Sequence, residues 1–327
     1  MRRPRARARR GRRGRLLIPF AEIEAARERI ADVALRTPLV RLHVEEDAEI
    51  WLKLECLQPI GSFKIRGAAN AVRSAPTDAV ARGLWTTSAG NMAQGVAWMA
   101  RELGVPATIV APDHAPQTKL EAIARLGGDT VSVPFERWWQ TMEEGVYPGL
   151  DGHFVHPVRD AAVMAGNGTI GLEIAEELGD VDAVLIPWGG GGLTTGIASA
   201  LATLSPRTRV YACEPETGAP VSAALAAGEP VEVPYRASFV DGAGSKALLP
   251  EMWELARPLL AGAFALSLEE TAATVRLLAE RVRVVAEGAG ALPVAAALAG
   301  GAGTGRLVCV VSGGNIDAAR LAEILVG

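Results

Sequence analysis

The chain has 327 residues, of which 49% are hydrophobic and 21% are charged, and its formal net charge is −4. This length can form one large domain or two domains, and the composition is that of a globular protein with a buried core. No apolar run is long enough to span a bilayer, the three cysteines (Cys56, Cys213 and Cys309) form no CxxC pair, and the small net charge gives no general case for nucleic-acid binding. We therefore expect a cytoplasmic protein with reduced thiols and without membrane or nucleic-acid partners.

The first fifteen residues differ from the rest of the chain. The segment MRRPRARARRGRRGR contains nine arginines and no acidic residue, and the remaining chain has 24 basic and 37 acidic residues. It lacks the apolar region of a secretory signal. An RNA-binding arm or a transit-like segment are alternatives, but the favoured interpretation is a disordered basic tail over residues 1–15 or a start site assigned too far upstream.

Strands and helices alternate along most of the remaining sequence. Helical spacing first appears over residues 21–33, a strand follows at 50–54, and a helix follows at 65–73. The next strands are predicted at 84–87, 107–111 and 129–133, and the next helices at 92–103, 117–126 and 138–144. This β-α order predicts a compact α/β unit whose sheet is parallel, with helices on both faces.

A second unit follows the segment HPVRDAAVMAGNGTIGLEIAEELG. Its strands are predicted at 181–187, 209–213, 263–266 and 307–311, and its helices at 193–204, 268–281, 287–298 and 316–325. The stretch from 214 to about 250 contains glycine and proline and is predicted to be irregular. The second unit is therefore also expected to be α/β.

Lys64 is the first residue that suggests chemistry. The chain has 29 arginines but only four lysines, which are Lys53, Lys64, Lys119 and Lys246. Unlike arginine, a desolvated lysine can lose its proton and attack a carbonyl group. Lys64 follows Gly61-Ser62-Phe63 and precedes an alanine-rich helix, which places the amine beside a flat ring. A surface lysine at the start of a helix is the ordinary alternative.

Four consecutive glycines, Gly189 to Gly192, lie between a predicted strand and a predicted helix. Backbone N–H groups can converge there without side-chain obstruction, and the helix start adds partial positive charge, so the loop suits a phosphate. A tight turn is the alternative, although it needs fewer glycines. Glu214 lies 22 residues beyond, as in dinucleotide sites, but GGGGLTTG lacks the GxGxxG pattern and is not a Walker loop.

Two further loops follow predicted strands. Ser88-Ala89-Gly90-Asn91 stands at the start of a helix and suits a carboxylate, and Ser312-Gly313-Gly314-Asn315 offers a hydroxyl group. Each loop alone could be an ordinary helix cap. Ligands of α/β sheets bind at the carboxyl ends of the strands, so all these groups are expected to share one cleft. Pyridoxal phosphate with an amino acid meets their combined requirements.

From about residue 19 to 327 the chain resembles the pyridoxal-phosphate enzymes of the threonine/serine dehydratase and serine racemase family, fold type II. The motifs that carry the resemblance are TPL at Thr37, LKLECLQPIGSFKIRGAAN, SAGNMAQGVA, AGNGTIGLEI, GGGGL and SGGN. The resemblance implies two open parallel-sheet α/β domains like those of the tryptophan synthase β chain. Residues 16–64 with 155–327 would form a large cofactor-binding domain, and residues 65–154 a small mobile domain. It also implies a homodimer.

The resemblance implies a role for each matching residue. Lys64 holds the cofactor as a Schiff base, Phe63 flanks its ring, Asn91 binds its 3′ oxygen and Ser312 faces its pyridine nitrogen. The N–H groups of the loop hold the phosphate, and these belong to Gly189, Gly190, Gly191, Gly192 and Leu193. The substrate carboxylate is held by the segment that consists of Ser88, Ala89, Gly90, Asn91 and Met92.

The implied reaction follows from those roles. Lys64, its pKa lowered by desolvation, is the general base that removes the α-proton, and the cofactor stabilises the carbanion. Because Ser312 is neutral, loss of a β-hydroxyl is favoured over transamination, with the cofactor phosphate as proton donor to the leaving group. The expected enzyme is an ammonia-lyase (dehydratase) that converts L-threonine, L-serine or a related 3-hydroxy amino acid into a 2-oxo acid and ammonia.

Three departures from the family pattern bear on the substrate. Met92 stands where the family often has histidine, and Ala89 stands where the racemases carry a serine that donates a proton. Ala89 argues against racemisation, although an amino-acid racemase of the same fold stays open. Trp138-Trp139 is either part of a core or a sign of a bulkier substrate. A lyase for hydroxyaspartate, phenylserine or a diamino acid therefore also stays open.

Other departures concern metals and the surroundings of the site. Glu214-Pro215 matches the start of the family's metal site, but Pro220 stands where an acidic ligand is expected, so no bound metal is predicted. Glu287 lies in EGAG, where EPAG is more usual, and is expected to orient the site. A nucleic-acid-binding protein that uses the arginine tail and a nicotinamide oxidoreductase are the alternatives from other functional classes.

Overall fold

The structure is a computed structural model that describes residues 17–327. The predicted disordered tail over residues 1–15 lies outside the described residues. Within residues 17–327 the chain forms two separate sheets with helices packed on them. No helix in this part of the chain is long and apolar enough to cross a membrane.

The larger sheet has six strands in the order β1-β2-β10-β7-β8-β9. The strands are β1 (Leu39–Arg41), β2 (Glu49–Lys53), β7 (Ala183–Pro187), β8 (Arg209–Pro215), β9 (Gly262–Leu266) and β10 (Arg306–Val310). All neighbouring pairs are parallel except β1 and β2, which are antiparallel. Strand β1, which forms this antiparallel edge, was not among the predicted strands. A short connection joins β1 to β2, and it can only return the chain antiparallel.

The smaller sheet has four parallel strands in the order β5-β4-β3-β6. These are β3 (Leu84–Thr87), β4 (Ala107–Pro112), β5 (Asp129–Val133) and β6 (His153–Phe154). Its first three strands lie where the sequence predicts them. The division into a large domain and a small mobile domain stays a prediction, because two sheets do not by themselves define moving bodies.

Thirteen α-helices surround the two sheets in the described residues. They are α1 (Phe20–Ile30), α2 (Lys64–Ser74), α3 (Thr77–Ala81), α4 (Asn91–Leu103), α5 (Gln117–Arg125), α6 (Phe135–Glu144), α7 (Ala161–Leu178), α8 (Gly192–Leu204), α9 (Pro220–Ala227), α10 (Pro250–Ala256), α11 (Leu268–Leu277), α12 (Gly288–Leu298) and α13 (Ala318–Val326). The helix predicted over 268–281 ends as an α-helix at Leu277 and continues as a π-helix to Val282.

Helix α7 had no counterpart among the predicted elements. The helix is buried on most of its surface, so its apolar residues are not confined to one face. Its sequence therefore lacks the apolar stripe from which a surface helix can be predicted. Its glycines allow close contacts with neighbouring helices. A Cβ at Gly166 would lie 2.4 Å from the carbonyl oxygen of Arg66, and one at Gly168 would lie 2.9 Å from that of Gly196. Helices α2, α7 and α8 therefore pack at a spacing that larger side chains would prevent.

Helix α9 lies within the stretch that was predicted to be irregular, so that prediction is wrong there. Pro220 begins the helix, a position that suits proline because no N–H partner is needed. The Glu214 carboxylate, at the end of β8, accepts hydrogen bonds from the N–H groups of Val221 and Ser222, both at 2.9 Å. A residue six positions upstream thus caps the helix, and a local pattern does not reveal such a cap.

The buried apolar side chains form several clusters. The largest lies around α12 on the larger sheet and includes Leu292 and Val294. A second cluster joins α2 and α4 to the smaller sheet through Ile65 and Val96. Helix α2 therefore belongs to the core beneath the smaller sheet, while its first residue, Lys64, reaches the space between the two sheets.

Candidate active site

A cavity of about 400 Å³ lies at the carboxyl ends of strands from both sheets. Its walls include the loops that follow β3, β4, β7 and β10, as expected for α/β proteins. The structure brings all of the predicted site residues to this cavity, which are Phe63, Lys64, Ser88, Ala89, Gly90, Asn91, Met92, Gly189, Gly190, Gly191, Gly192, Leu193 and Ser312. Residues far apart in sequence thus share one site.

Lys64 supplies the amine of this cavity. The side chain is half-buried, and Nζ lies 3.4 Å from the carbonyl oxygen of Pro157 and 5.0 Å from the centre of the Phe63 ring. Burial lowers the pKa of Lys64 to about 8, against an opposing effect of the Glu287 charge. Within residues 17–327 Lys64 forms no ion pair. With this pKa about a tenth of the amine is unprotonated at pH 7, far more than for a lysine of ordinary pKa.

The four-glycine loop leads into α8, a helix of 13 residues. The backbone N–H groups of Gly189 to Thr194 have no acceptor among the described residues. Side chains are excluded here, because a Cβ at Gly190 would lie 2.4 Å from Val158 and one at Gly191 would lie 2.6 Å from the Trp188 ring. Gly191 also has a φ of 91°. A bare loop of free donors at a helix start fits a phosphate group.

The segment Ser88 to Met92 forms another wall of the cavity. The Ser88 hydroxyl accepts a hydrogen bond from the Gly90 N–H at 3.2 Å, and α4 begins at Asn91 without a side-chain cap. The first N–H groups of a helix lack partners within the helix. This end of α4 therefore offers backbone N–H groups that can donate hydrogen bonds to a substrate carboxylate.

Asn91 is held from both ends of its amide group. Its Nδ2 donates to both carboxylate oxygens of Glu287, at 3.0 and 3.2 Å, and its Oδ1 accepts a hydrogen bond from Asn315 at 2.8 Å. Burial raises the pKa of Glu287 to about 7, although the hydrogen bond from Asn91 opposes this effect. Glu287 thus contacts a predicted site residue, and its role in orienting the site stays a prediction.

Ser312 lies beyond the end of β10 and is 2% exposed. Its carbonyl oxygen accepts a hydrogen bond from the Phe63 N–H at 3.0 Å, and Ser62 pairs with Gly313 in an isolated bridge. The loop after the last strand is therefore bonded directly to the segment that precedes Lys64. This contact places a neutral hydroxyl group in the same cavity as the amine.

Several cavity residues were not predicted from the sequence. Lys119 on α5 forms an ion pair with Asp241, and both side chains line the cavity. Pro157 and Val158 contact Lys64 and the glycine loop. The rarity of lysine, which first indicated Lys64, could also have indicated Lys119. Asp241 lies in a stretch without periodicity, so nothing in the sequence marked it.

Glu214, which matches the start of the family's metal site in sequence, caps a helix in the structure. Both carboxylate oxygens of Glu214 accept N–H groups from the first turn of α9, and burial raises its pKa to about 7. Across residues 17–327 no group of three or more His, Cys, Asp or Glu side chains could hold a metal ion. Glu214 therefore acts as a helix cap in this structure.

Comparisons with known proteins agree with this geometry. The chain matches the family described as pyridoxal-phosphate dependent enzyme over residues 30–313. It is 37% identical to an L-threonine ammonia-lyase of Geobacter sulfurreducens over 320 residues, which are 94% of this chain and 78% of that protein.

Two solved structures are similar over nearly the whole chain. The processed form of threonine deaminase isoform 2 from Solanum lycopersicum has a TM-score of 0.84 and 29% identity, with 96% of this chain and 88% of that chain covered. Maize serine racemase has a TM-score of 0.84 and 29% identity, with 93% and 95% covered. The chain therefore belongs to the pyridoxal-phosphate-dependent enzyme family of fold type II.

Proposed function

We propose that this protein is an ammonia-lyase (dehydratase) that converts L-threonine, and also L-serine, into a 2-oxo acid and ammonia. The observation that carries the proposal is the Lys64 amine, which forms no ion pair among the described residues and shares one cavity with the free N–H groups of the glycine loop. The name of the Geobacter sulfurreducens relative supports threonine as the substrate.

The cofactor of this family is pyridoxal phosphate, and the residues present fit it. The N–H groups of Gly189 to Leu193 would hold its phosphate, because they have no other acceptor in the described residues. Phe63, Ser312 and Asn91 would contact its ring, and Lys64 would bind its carbonyl carbon. When bound, the cofactor withdraws electrons from the substrate Cα and so acidifies its proton.

The protein groups then bind the substrate and move its proton. The N-terminal end of α4, with Ser88, would hold the carboxylate. Lys64 Nζ would take the proton from Cα, which requires the neutral amine that burial favours. Ser312 carries no charge, and this supports loss of the β-hydroxyl group over transfer of the amine.

Racemisation is the second candidate, because serine racemases are among the similar structures. Ala89 lines the cavity next to Ser88, and its methyl group cannot donate a proton to Cα. This supports elimination as the main reaction.

We also propose that the protein is a homodimer and is located in the cytoplasm. Light scattering on the purified protein would test the homodimer.

The proposal is tested by incubating the protein with pyridoxal phosphate and measuring ammonia and 2-oxo acid release from L-threonine and L-serine. The wild type should show the visible absorbance of bound cofactor and turn over threonine, whereas Lys64→Ala should lose both. Lys246→Ala is the control, since Lys246 is exposed and pairs with Glu232. Formation of D-serine without ammonia, or bound cofactor without turnover of any 3-hydroxy amino acid, would overturn the proposal.

A further inference from the structure

The smaller-sheet side of the cavity presents an apolar wall. Four of its residues carry no polar side-chain group except the indole N–H of Trp138, and they are Pro112, Ala115, Pro116 and Trp138. Met92, on the first turn of α4, also lines the cavity and is 1% exposed. A substrate side chain that extends towards these five residues meets mainly carbon atoms, with His114 and Lys119 beside them on the same side of the cavity.

Trp138 is the largest member of this wall and is supported from behind. It packs on the buried cluster of Trp85, Val110 and Val133 beneath the smaller sheet. Its ring centre lies 5.5 Å from that of Phe135 and 6.2 Å from that of Trp139. The indole is therefore fixed by the core of the smaller sheet, and its cavity face is a preformed surface.

Apart from Lys64, the ionisable side chains on the cavity wall have partners among the described residues. Lys119 pairs with Asp241, Glu287 accepts from Asn91, and His114 contacts Asp113. Of the ionisable side chains that line the cavity in the described part of the chain, only Lys64 lacks a side-chain partner. A second carboxylate or ammonium group on a substrate would have to compete with these existing partners. The wall thus favours an uncharged substrate side chain.

Together these features point to a substrate class, and the inference rests on the proposed function. We infer that this enzyme accepts 3-hydroxy amino acids with an aryl or extended apolar side chain, and that Trp138 is the specificity-determining residue that covers that side chain. The methyl group of threonine is too small to cover an indole face. Each additional methylene in an apolar pocket changes kcat/KM by about 10- to 200-fold.

The reaction itself stays the same for the larger substrate. The Cα–H and Cβ–OH bonds break, water leaves, and hydrolysis of the C–N bond then returns a water molecule. The net products of 3-phenylserine are phenylpyruvate and ammonia, and no oxidant or reductant is needed. Only the group attached to Cβ differs from threonine.

The test compares kcat/KM for L-threo-3-phenylserine and L-threonine in the cofactor-loaded enzyme. The wild type should use phenylserine within about tenfold of threonine. Trp138→Ala should lower the phenylserine-to-threonine ratio by about tenfold, mainly through a higher KM for phenylserine. Trp138→Phe keeps an aromatic ring and should restore most of the ratio. Trp139→Ala is the matched control, because Trp139 is 39% exposed, adjacent in sequence and absent from the cavity wall.

Two results would overturn the inference and leave the proposed function intact. One is turnover of threonine without measurable turnover of phenylserine by the wild type. The other is an increased phenylserine-to-threonine ratio in Trp138→Ala, which would mean that the indole obstructs larger side chains. If neither amino acid releases ammonia while the cofactor is bound, the proposed function fails and the inference fails with it.

Discussion

Lys64 and Arg66 lie two residues apart on α2, and both are cations removed from bulk water, yet their surroundings are opposite. Arg66 is 1% exposed and bonds two carboxylates, with its Nε 2.8 Å from Glu55 and its Nη1 2.6 Å from Glu173. Burial acts to lower the pKa of Arg66, but Glu55 and Glu173 raise it above its ordinary value. Lys64 has no such partner among the described residues, and burial lowers its pKa to about 8.

The comparison shows that two cations of one helix have different roles, one in stability and one in catalysis. The Arg66 cluster also includes Lys53, whose Nζ lies 2.5 Å from Glu173 and 2.6 Å from the Thr37 carbonyl oxygen. Breaking such a pair leaves a buried charge without compensation. Removing the amine of Lys64 leaves no carboxylate behind. We therefore expect Arg66 to matter for folding and Lys64 for catalysis.

The largest effect is expected on activity when Lys64 is replaced. Lys64→Met should lower kcat/KM for threonine by about 10⁴-fold, since a general base contributes up to that factor. The free energy of unfolding of the cofactor-free protein should stay within about 1 kcal/mol of wild type or rise, because a desolvated amine is removed. Ammonia release and urea unfolding provide the two measurements, and a large loss of stability would contradict the comparison.

Arg66→Met should have the reverse pattern. It leaves Glu55 and Glu173 buried with one cation fewer, so the free energy of unfolding should fall by about 3–5 kcal/mol. Arg73→Met on the same helix is the control, since Arg73 pairs with Asp32 at the surface and should cost at most about 1 kcal/mol. Urea unfolding of the cofactor-free proteins distinguishes them, and equal losses would show that the buried cluster has no special role.

Gly191→Ala is expected to weaken cofactor binding. The residue has a φ of 91°, and the new methyl group would lie 2.6 Å from the Trp188 ring, so the loop must shift its N–H groups. We expect a Kd for pyridoxal phosphate at least about tenfold higher, corresponding to about 1.4 kcal/mol. Gly179→Ala is the control, with a φ of 65° and no atom within 4 Å. Equal Kd values in a fluorescence titration of both variants would argue against the loop as the phosphate site.

The smallest effect concerns the pH dependence of the reaction. The charge of Glu287 raises the pKa of Lys64, so Glu287→Gln should lower it. Because Lys64 acts as the neutral amine, kcat should rise with pH through about 8 in the wild type, and this rise should move to lower pH by up to about one unit in the variant. Glu28→Gln, at the surface, should leave the profile in place. A shift to higher pH would show that Glu287 does not act through charge.

Much of the site could be predicted from the sequence because its components are local. A glycine run before a helix, as at Gly189 to Gly192, leaves backbone N–H groups without intrahelical partners, and this does not depend on distant parts of the chain. The same holds for the start of α4 at Asn91 and for the hydroxyl of Ser312 after β10. Since carboxyl ends of parallel strands meet at one edge, their placement in one cavity could also be expected.

Tertiary structure decided what depends on distant partners. Helix α9 begins where Glu214 caps it, and helix α7 is buried between other helices. Strand β1 pairs antiparallel with β2 at the edge of the larger sheet. Local periodicity in the sequence did not predict these three elements. The contrast between Lys64 and Arg66 is also tertiary. Both are basic residues of one motif, and only the folded chain brings Glu55 and Glu173 to Arg66 and leaves Lys64 beside the carbonyl of Pro157. The sequence by itself thus determined the amine and the loops that meet at the site, whereas the fold determined which cation of α2 is free to react, because desolvation and pairing are properties of the folded interior.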